Sequence, residues 1–89
     1  MLRIDIYKAA QRFVDRLPPK QQKQVMRKIP SIAGSPEQQD VRPLRGHPDL
    51  LRADIEEYRI IYAIEDDLLS VLMAGKRNDI EIYRQLRRK

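Results

Sequence analysis

The fold of this chain is decided by residues 57–77, EYRIIYAIEDDLLSVLMAGKR, which hold two runs of alternating side chains. Apolar or aromatic residues occupy every second position of 58–64 and again of 69–73. This spacing predicts strands that each bury one face. Asp66 and Asp67 lie between the two runs, and such a pair between β-forming residues is typical of a tight turn. We therefore predict a β-hairpin.

The pattern outside the hairpin predicts two further strands and two helices. Residues 51–55, LRADI, and residues 2–6, LRIDI, alternate in the same way and predict strands. Within 9–17 and 25–32, apolar residues recur three to four positions apart, which predicts two amphipathic helices. Two adjacent prolines between them stop the first helix and open the second.

Three features interrupt this regular pattern. Pro30 lies inside the second helix and removes the hydrogen bond to the Met26 carbonyl, so we expect a kink or an early end there. Residues 34–50 hold three prolines and two glycines and predict a loop. Asn78 and Glu81 resemble a capping box and predict a short C-terminal helix.

The element order β-α-α-β-β-β-α predicts an α+β fold. An N-terminal strand and a helical hairpin precede an antiparallel β-sheet with a short C-terminal helix, and residues 1–89 are expected to form a single domain. The helical hairpin covers one face of the sheet and leaves the other face free. Arg52, Asp54 and Arg59 alternate with apolar residues and are predicted on the uncovered face.

Composition excludes several kinds of site. The chain has no cysteine, so it has no disulfide, thiolate metal site or thiol nucleophile. His47 is the only histidine and lies in the proline-rich segment, so we predict no metal site and no cofactor. Three scattered glycines cannot form a phosphate-binding loop. The N-terminus is too charged for a signal peptide and no apolar run can span a bilayer, so we expect a soluble intracellular protein without a membrane partner.

The net charge of +5 is unevenly distributed. Residues 8–28 carry seven cations and one acid, and residues 76–89 carry six cations and two acids. Residues 37–67 carry nine acids and four arginines. Two basic stretches that meet in space would bind a polyanion such as nucleic acid. The alternative is that these cations form ordinary solvated helix faces.

Cations and one phenol cluster near the ends of the last strands: Arg52, Arg59, Lys76, Arg77 and Tyr83. Guanidinium groups match phosphate geometry and stabilise the charge that develops during phosphoryl transfer. A tyrosine can stack on a base or transfer a proton. With RNA no metal is required, because the neighbouring 2′-hydroxyl is itself a nucleophile. The alternative is that the arginines form surface ion pairs and the tyrosine caps the core.

The sequence resembles the RelE branch of the RelE/ParE toxin superfamily over nearly all of its length. The resemblance is carried by four segments: RFVDRLPPKQQKQV (12–25), PLRGHPDLLR (43–52), EYRIIYAIEDDLLSVL (57–72) and GKRNDIEIYRQL (75–86). It implies the toxin of a type II toxin–antitoxin system that cuts mRNA in the ribosomal A site by 2′-hydroxyl attack. It also implies a cognate RelB-like antitoxin, contact with DNA only through that antitoxin, and a cytoplasmic location.

The resemblance assigns roles by position. Arg59 matches the arginine that holds the scissile phosphate, Arg77 the general acid or leaving-group stabiliser, and Tyr83 the tyrosine that orients the nucleotide. The residues expected to contact substrate are Arg52, Lys76 and Arg45. The basic helices of 8–28 would contact ribosomal RNA phosphates.

Asp54 departs from the family pattern, because it stands where RelE toxins carry a lysine proposed as the general base. Asp54 is the base itself, or another group takes the proton, or activity is modest. An aspartate between Arg52 and Arg59 is a weak base, so we favour a structural ion pair with a neighbouring arginine.

Two other functions remain open at this stage. The chain could be a ParE-type gyrase poison, although such proteins usually lack the Arg and Tyr that follow GK here. It could also be a catalytically weak toxin-fold protein that serves as antitoxin partner and co-repressor. Asp54 is the feature that best supports this last alternative.

Overall fold

A computed structural model of the chain describes residues 2–35, 42–44 and 47–77. Its elements are β1 (Arg3–Ile6), α1 (Lys8–Asp15), α2 (Pro19–Gly34), β2 (Arg42–Leu44), β3 (His47–Ile55), β4 (Tyr58–Glu65) and β5 (Leu68–Lys76). The predicted α+β class, the helical hairpin and the β4–β5 hairpin are confirmed. The C-terminal helix predicted from residue 78 lies outside the described residues. No helix in the described part of the chain is long and apolar enough to cross a membrane.

The five strands form one sheet in the order β1-β5-β4-β3-β2. The predicted antiparallel pairing holds for β3 with β4 and β4 with β5, and β2, which was not predicted, also pairs antiparallel with β3. β1 differs, because it pairs parallel with β5 and makes the sheet mixed. Alternation within a strand tells which residues share a face, but it carries no information about the neighbouring strand or its direction.

Apolar side chains from both helices pack against one face of the sheet. The helices contribute Ala10, Val14, Val25, Ile29, Ile32 and Ala33, and the strands contribute Ala53, Ile55, Ile60, Tyr62, Leu69 and Val71. All of these residues are buried. The helical spacing of the first set and the alternation of the second bring the two apolar surfaces together.

One expectation about a proline is corrected. α2 continues four residues past Pro30 to Gly34, so the early end is wrong. Ile29, Ile32 and Ala33 are buried around that position, and their packing outweighs the roughly 3 kcal/mol cost of an internal proline. Pro30 itself is exposed.

The predicted loop of 34–50 is shorter than expected, because it contains β2 and the first residues of β3. Pro43 lies in β2, the edge strand of the sheet, where a missing backbone N–H is tolerated. The pairing of β3 with β4 starts only at Leu51, so Pro48 lies outside that ladder.

A β-bulge changes the faces of β5. Val71 pairs with Tyr62 and Met73 pairs with Ile61, so Leu72 is an extra residue between two consecutive partners. The prediction that Met73 shares a face with Leu69 and Val71 is therefore wrong. Beyond the bulge, Ala74 packs against the core and Met73 points to the opposite face.

Candidate functional site

The sheet face opposite the helices carries the predicted charged residues at the end where β3 and β4 meet their turn. Asp54 pairs directly with Arg59 across these strands, and Arg52 pairs with Ile61. The expectation of a fully free face is corrected, because Ile61 has no exposed surface and Arg59 is only 8% exposed. The middle of this face is therefore buried, whereas the end that carries Asp54 and Arg77 is exposed to solvent, with side chains that are 42% and 51% exposed.

Asp54 and Arg59 form a short ion pair. The Arg59 Nε donates a hydrogen bond to Asp54 Oδ1 at 2.7 Å. This hydrogen bond holds the pKa of Asp54 below its ordinary value. Desolvation of the carboxyl raises the pKa, but the charges of Arg59, Arg77 and Arg52 lower it further. Asp54 is therefore ionised at neutral pH and is a poor proton acceptor.

Arg77 approaches the same carboxylate from the other side. Its Nε lies 3.8 Å from Asp54 Oδ2. Its Nη1 donates to the Glu56 carbonyl at 3.1 Å, and its backbone N–H donates to the Glu57 carbonyl at 2.9 Å. Glu56 has a φ of 55°, and its carbonyl is held by this guanidinium at the β3–β4 turn. One carboxylate thus lies between two guanidinium groups.

The bulge at Leu72 is what brings Arg77 to this face. Gly75 pairs with Arg59 and Lys76 pairs with Tyr58, which lies on the helix-covered side. Continuous alternation from Val71 would have placed residues 75 and 77 on the helix-covered side instead. Bulges next to functional sites commonly redirect a side chain in this way.

The structure brings some of the predicted site residues together and leaves one apart. Arg59 and Arg77 each form an ion pair with Asp54, and Arg52 is close enough for its charge to lower the pKa of Asp54. Lys76 pairs with Tyr58 and therefore lies on the helix-covered face, on the opposite side of the sheet from these residues. The two other predicted site residues, Tyr83 and Arg45, lie outside the described residues.

A cleft of about 820 Å³ opens beside Asp54, between α2 and the β3–β4 turn. It is lined by Lys20, Lys23, Gln24, Arg27, Lys28, Ser31, Asp54, Ile55 and Glu56. Sequence reasoning identified a basic stretch here but no cleft. The available signal was the spacing of Lys20, Lys23 and Arg27, which places three cations on one helix face.

No group of acidic and histidine side chains that could hold a metal ion occurs within the described ranges. The arrangement at Asp54 is instead one of fixed cations around an anion. Such a site can hold phosphate oxygens, because guanidinium groups bind carboxylate and phosphate with the same donor geometry.

Solved structures of RelE toxins are similar to this chain. The intact E. coli RelBE toxin-antitoxin complex matches with a TM-score of 0.75 at 23% identity, covering 89% of this chain and 100% of that one. The isolated E. coli RelE toxin matches with a TM-score of 0.74 at 23% identity, covering 99% and 97%. The archaeal RelE-RelB complex from Pyrococcus horikoshii matches with a TM-score of 0.73 at 26% identity, covering 86% and 96%.

Comparison with protein-family models and with curated proteins yields no match. The structural likeness covers almost the whole of the chain and of its counterparts, so it applies to the complete arrangement of helices and strands and not to one motif. The chain therefore has the fold of the RelE toxins, as its sequence segments predicted.

Proposed function

We propose that this chain is the toxin of a type II toxin–antitoxin system and that it cleaves mRNA on the ribosome. The observation that carries the proposal is the pair of guanidinium groups, Arg59 and Arg77, that meets a single anion at the open end of the sheet face. The similar structures, which are RelE toxins alone or with RelB, support the same assignment.

The proposed reaction is an attack of the ribose 2′-oxygen on the adjacent phosphorus. The bond from phosphorus to the 5′-oxygen of the next nucleotide breaks, which leaves a 2′,3′-cyclic phosphate. The 2′-hydroxyl loses its proton to a base, and the departing 5′-oxygen gains one. Arg59 holds the phosphate, Arg77 stabilises the departing oxygen, and Tyr83 orients the nucleotide.

Asp54 is assigned the role of ion-pair partner and not of general base. Its lowered pKa makes it a weak proton acceptor, and its Oδ1 already accepts the Arg59 hydrogen bond. The carboxylate keeps Arg59 in place on β4, and an incoming phosphate competes with Asp54 for the guanidinium groups. Arg52 and Arg45 are assigned to substrate binding, whereas Lys76 lies on the other face and is no longer included.

The partners follow from the same proposal. They are a RelB-like antitoxin, the ribosome and its mRNA, with DNA contacted only through the antitoxin and with no cofactor. The protein would act in the cytoplasm, where translation takes place, as one domain formed by residues 1–89.

The proposal is tested by Arg77→Ala in a translation reaction, with primer extension to locate cuts in the mRNA. Loss of one preorganised cation at the transition state should slow A-site cleavage by about 10²–10³-fold. Arg3→Ala is the matched control, because Arg3 is also an exposed arginine in an ion pair but lies on the edge strand β1. Cleavage that survives in Arg77→Ala and Tyr83→Ala would contradict the assignment.

A second candidate function is favoured by one observation, the occupation of both guanidinium groups by Asp54. In that case the chain is a weak nuclease that serves mainly as antitoxin ligand and co-repressor. Asp54→Asn separates the two: cleavage should rise if the carboxylate blocks the phosphate site, and should fall or stay unchanged if the carboxylate serves to keep Arg59 in place. Absence of growth arrest by the wild-type chain, expressed without an antitoxin, would favour the second function.

A further inference from the structure

Arg77 is held by contacts with the β3–β4 turn, although it follows the last residue of β5. Its backbone N–H donates to the Glu57 carbonyl at 2.9 Å, and its Nη1 donates to the Glu56 carbonyl at 3.1 Å. Its Nε lies 3.8 Å from Asp54 Oδ2. All three contacts join Arg77 to residues 54–57. The position of its guanidinium therefore depends on the conformation of this turn.

The turn has an uncommon backbone conformation at Glu56. Ile55 pairs with Tyr58, so Glu56 and Glu57 form a two-residue hairpin turn. Glu56 has a φ of 55°, in the left-handed region. A glutamate meets a steric cost there that glycine does not. Such a cost persists only where surrounding contacts hold the residue, and it is frequent at functional sites. The hydrogen bond from Arg77 to the Glu56 carbonyl is a contact of this kind.

The β4–β5 turn provides a comparison within the same chain. Asp66 also has a φ of 55°, and the Arg3 backbone N–H donates to the Asp67 carbonyl at 2.7 Å. The Arg3 side chain donates to the Asp67 carboxylate at 3.0 Å. Both turns thus hold the backbone of an arginine from a distant part of the chain. In the β3–β4 turn, the carbonyl of the left-handed residue itself accepts the guanidinium hydrogen bond.

We propose that Glu56 is a positioning residue, whose left-handed conformation aims its carbonyl at Arg77 and sets that guanidinium beside the Asp54–Arg59 pair. The main chain of Glu56 has this role, and its carboxylate does not. The consequence for cleavage rests on the proposed function, because Arg77 is there assigned to the departing oxygen. The positioning itself is measured without any substrate.

Two substitutions at Glu56 separate the main chain from the side chain. Glu56→Val removes the carboxylate and disfavours a positive φ, because a β-branched residue is a steric outlier there. Glu56→Gly removes the same carboxylate but adopts a positive φ without a steric cost. Asp66→Val is the matched control, because it places the same steric conflict in the other turn.

Nuclear magnetic resonance of the full-length chain measures the positioning directly. In Glu56→Val the Arg77 amide hydrogen should exchange about 10-fold faster and the Arg77 Nε resonance should shift, because the altered turn weakens both contacts. In Glu56→Gly both should stay close to the wild type. Asp66→Val should accelerate exchange of the Arg3 amide and leave Arg77 unchanged. Equal changes at Arg77 in the two Glu56 variants, or none in Glu56→Val, would overturn the inference.

Cleavage of mRNA gives the second measurement. The maximal single-turnover rate should fall by about 10–10²-fold in Glu56→Val, because Arg77 is displaced from the departing oxygen. The protein concentration that gives half of this rate should change little, since the lost interaction is made in the transition state. Glu56→Gly should restore cleavage, and Asp66→Val should cleave as the wild type does. Loss of cleavage in Glu56→Gly as large as in Glu56→Val would assign the role to the carboxylate and contradict the inference.

Two provisions keep the test decisive. If Glu56→Val fails to fold, Glu56→Ala, a milder change at a positive φ, takes its place in both measurements. If the resonance results are as expected but the wild-type chain cuts no mRNA, the proposed nuclease is wrong and the positioning of Arg77 is supported. Failure of the inference and failure of the proposed function are therefore distinguishable.

Discussion

The two faces of the sheet are formed by the same strands but bury different kinds of side chain. On the face under the helices, Ile60 and Tyr62 of β4 are buried in the apolar core. On the other face, Arg59 of the same strand is almost as buried, yet it is charged and bound to Asp54. Burial alone therefore does not mark the core: this almost fully buried guanidinium lies on the other face and is paired with a carboxylate, because taking a charge from water is costly without a partner.

The largest effect is expected from Arg59→Met, which keeps the length and bulk of the side chain but removes its charge. Cleavage of mRNA should fall by about 10²–10³-fold, because one cation at the phosphate is lost. Stability to urea should fall less than in a core truncation, because the Asp54 carboxylate that loses its partner is 42% exposed and keeps Arg77 nearby. A-site primer extension and urea unfolding monitored by circular dichroism measure the two quantities.

Ile60→Ala is the matched change on the opposite face. It should lower the free energy of unfolding by about 2–5 kcal/mol, because it leaves a cavity in the core. If Arg59→Met destabilised the protein as strongly as Ile60→Ala, the distinction between the two faces would be wrong.

An intermediate effect is expected from Tyr62→Phe, which removes a single polar group from the apolar core. The buried Tyr62 hydroxyl has no hydrogen-bond partner among the residues that the structure describes, and burial raises its pKa to about 12. Removing the hydroxyl should leave stability unchanged or raise it by about 1 kcal/mol, because a buried unsatisfied polar group carries a desolvation cost. A clear loss of stability in urea unfolding would show that the hydroxyl does have a partner.

The smallest effect is expected from Asp54→Asn on stability. The folded pKa of Asp54 lies below its ordinary value of 3.8, so its ion pair stabilises the protein above that pH and the contribution is lost as pH falls through the lowered pKa. Asp54→Asn should cost less than about 1 kcal/mol at neutral pH, because the carboxylate is partly exposed to solvent.

The pH dependence gives the check on that prediction. The difference in unfolding free energy between Asp54→Asn and the wild type should shrink below about pH 4, where Asp54 begins to be protonated. Asp67→Asn is the control, because the Asp67–Arg3 pair is more exposed on both sides and should contribute less. A difference that stays constant down to the lowest pH would show that the ion pair contributes nothing.

Much of the fold could be predicted from the sequence because its causes are local. Alternation in 51–55 and 58–64, helical spacing in 9–17 and 25–32, and the Asp66-Asp67 turn all follow from the steric periods of strands and helices. The same alternation placed Asp54 and Arg59 on the face away from the core. Charge counts identified the basic stretch that contains α2.

The remaining features were decided by tertiary structure, because they depend on contacts between distant parts of the chain. The parallel partner of β1 and the bulge at Leu72 are set by strand pairing, and the bulge turns Arg77 towards Asp54 and leaves Lys76 on the other side. The cleft exists only where α2 packs next to the β3–β4 turn. Sequence periodicity thus determined which side chains share a face of each element, whereas packing between elements decided which faces meet.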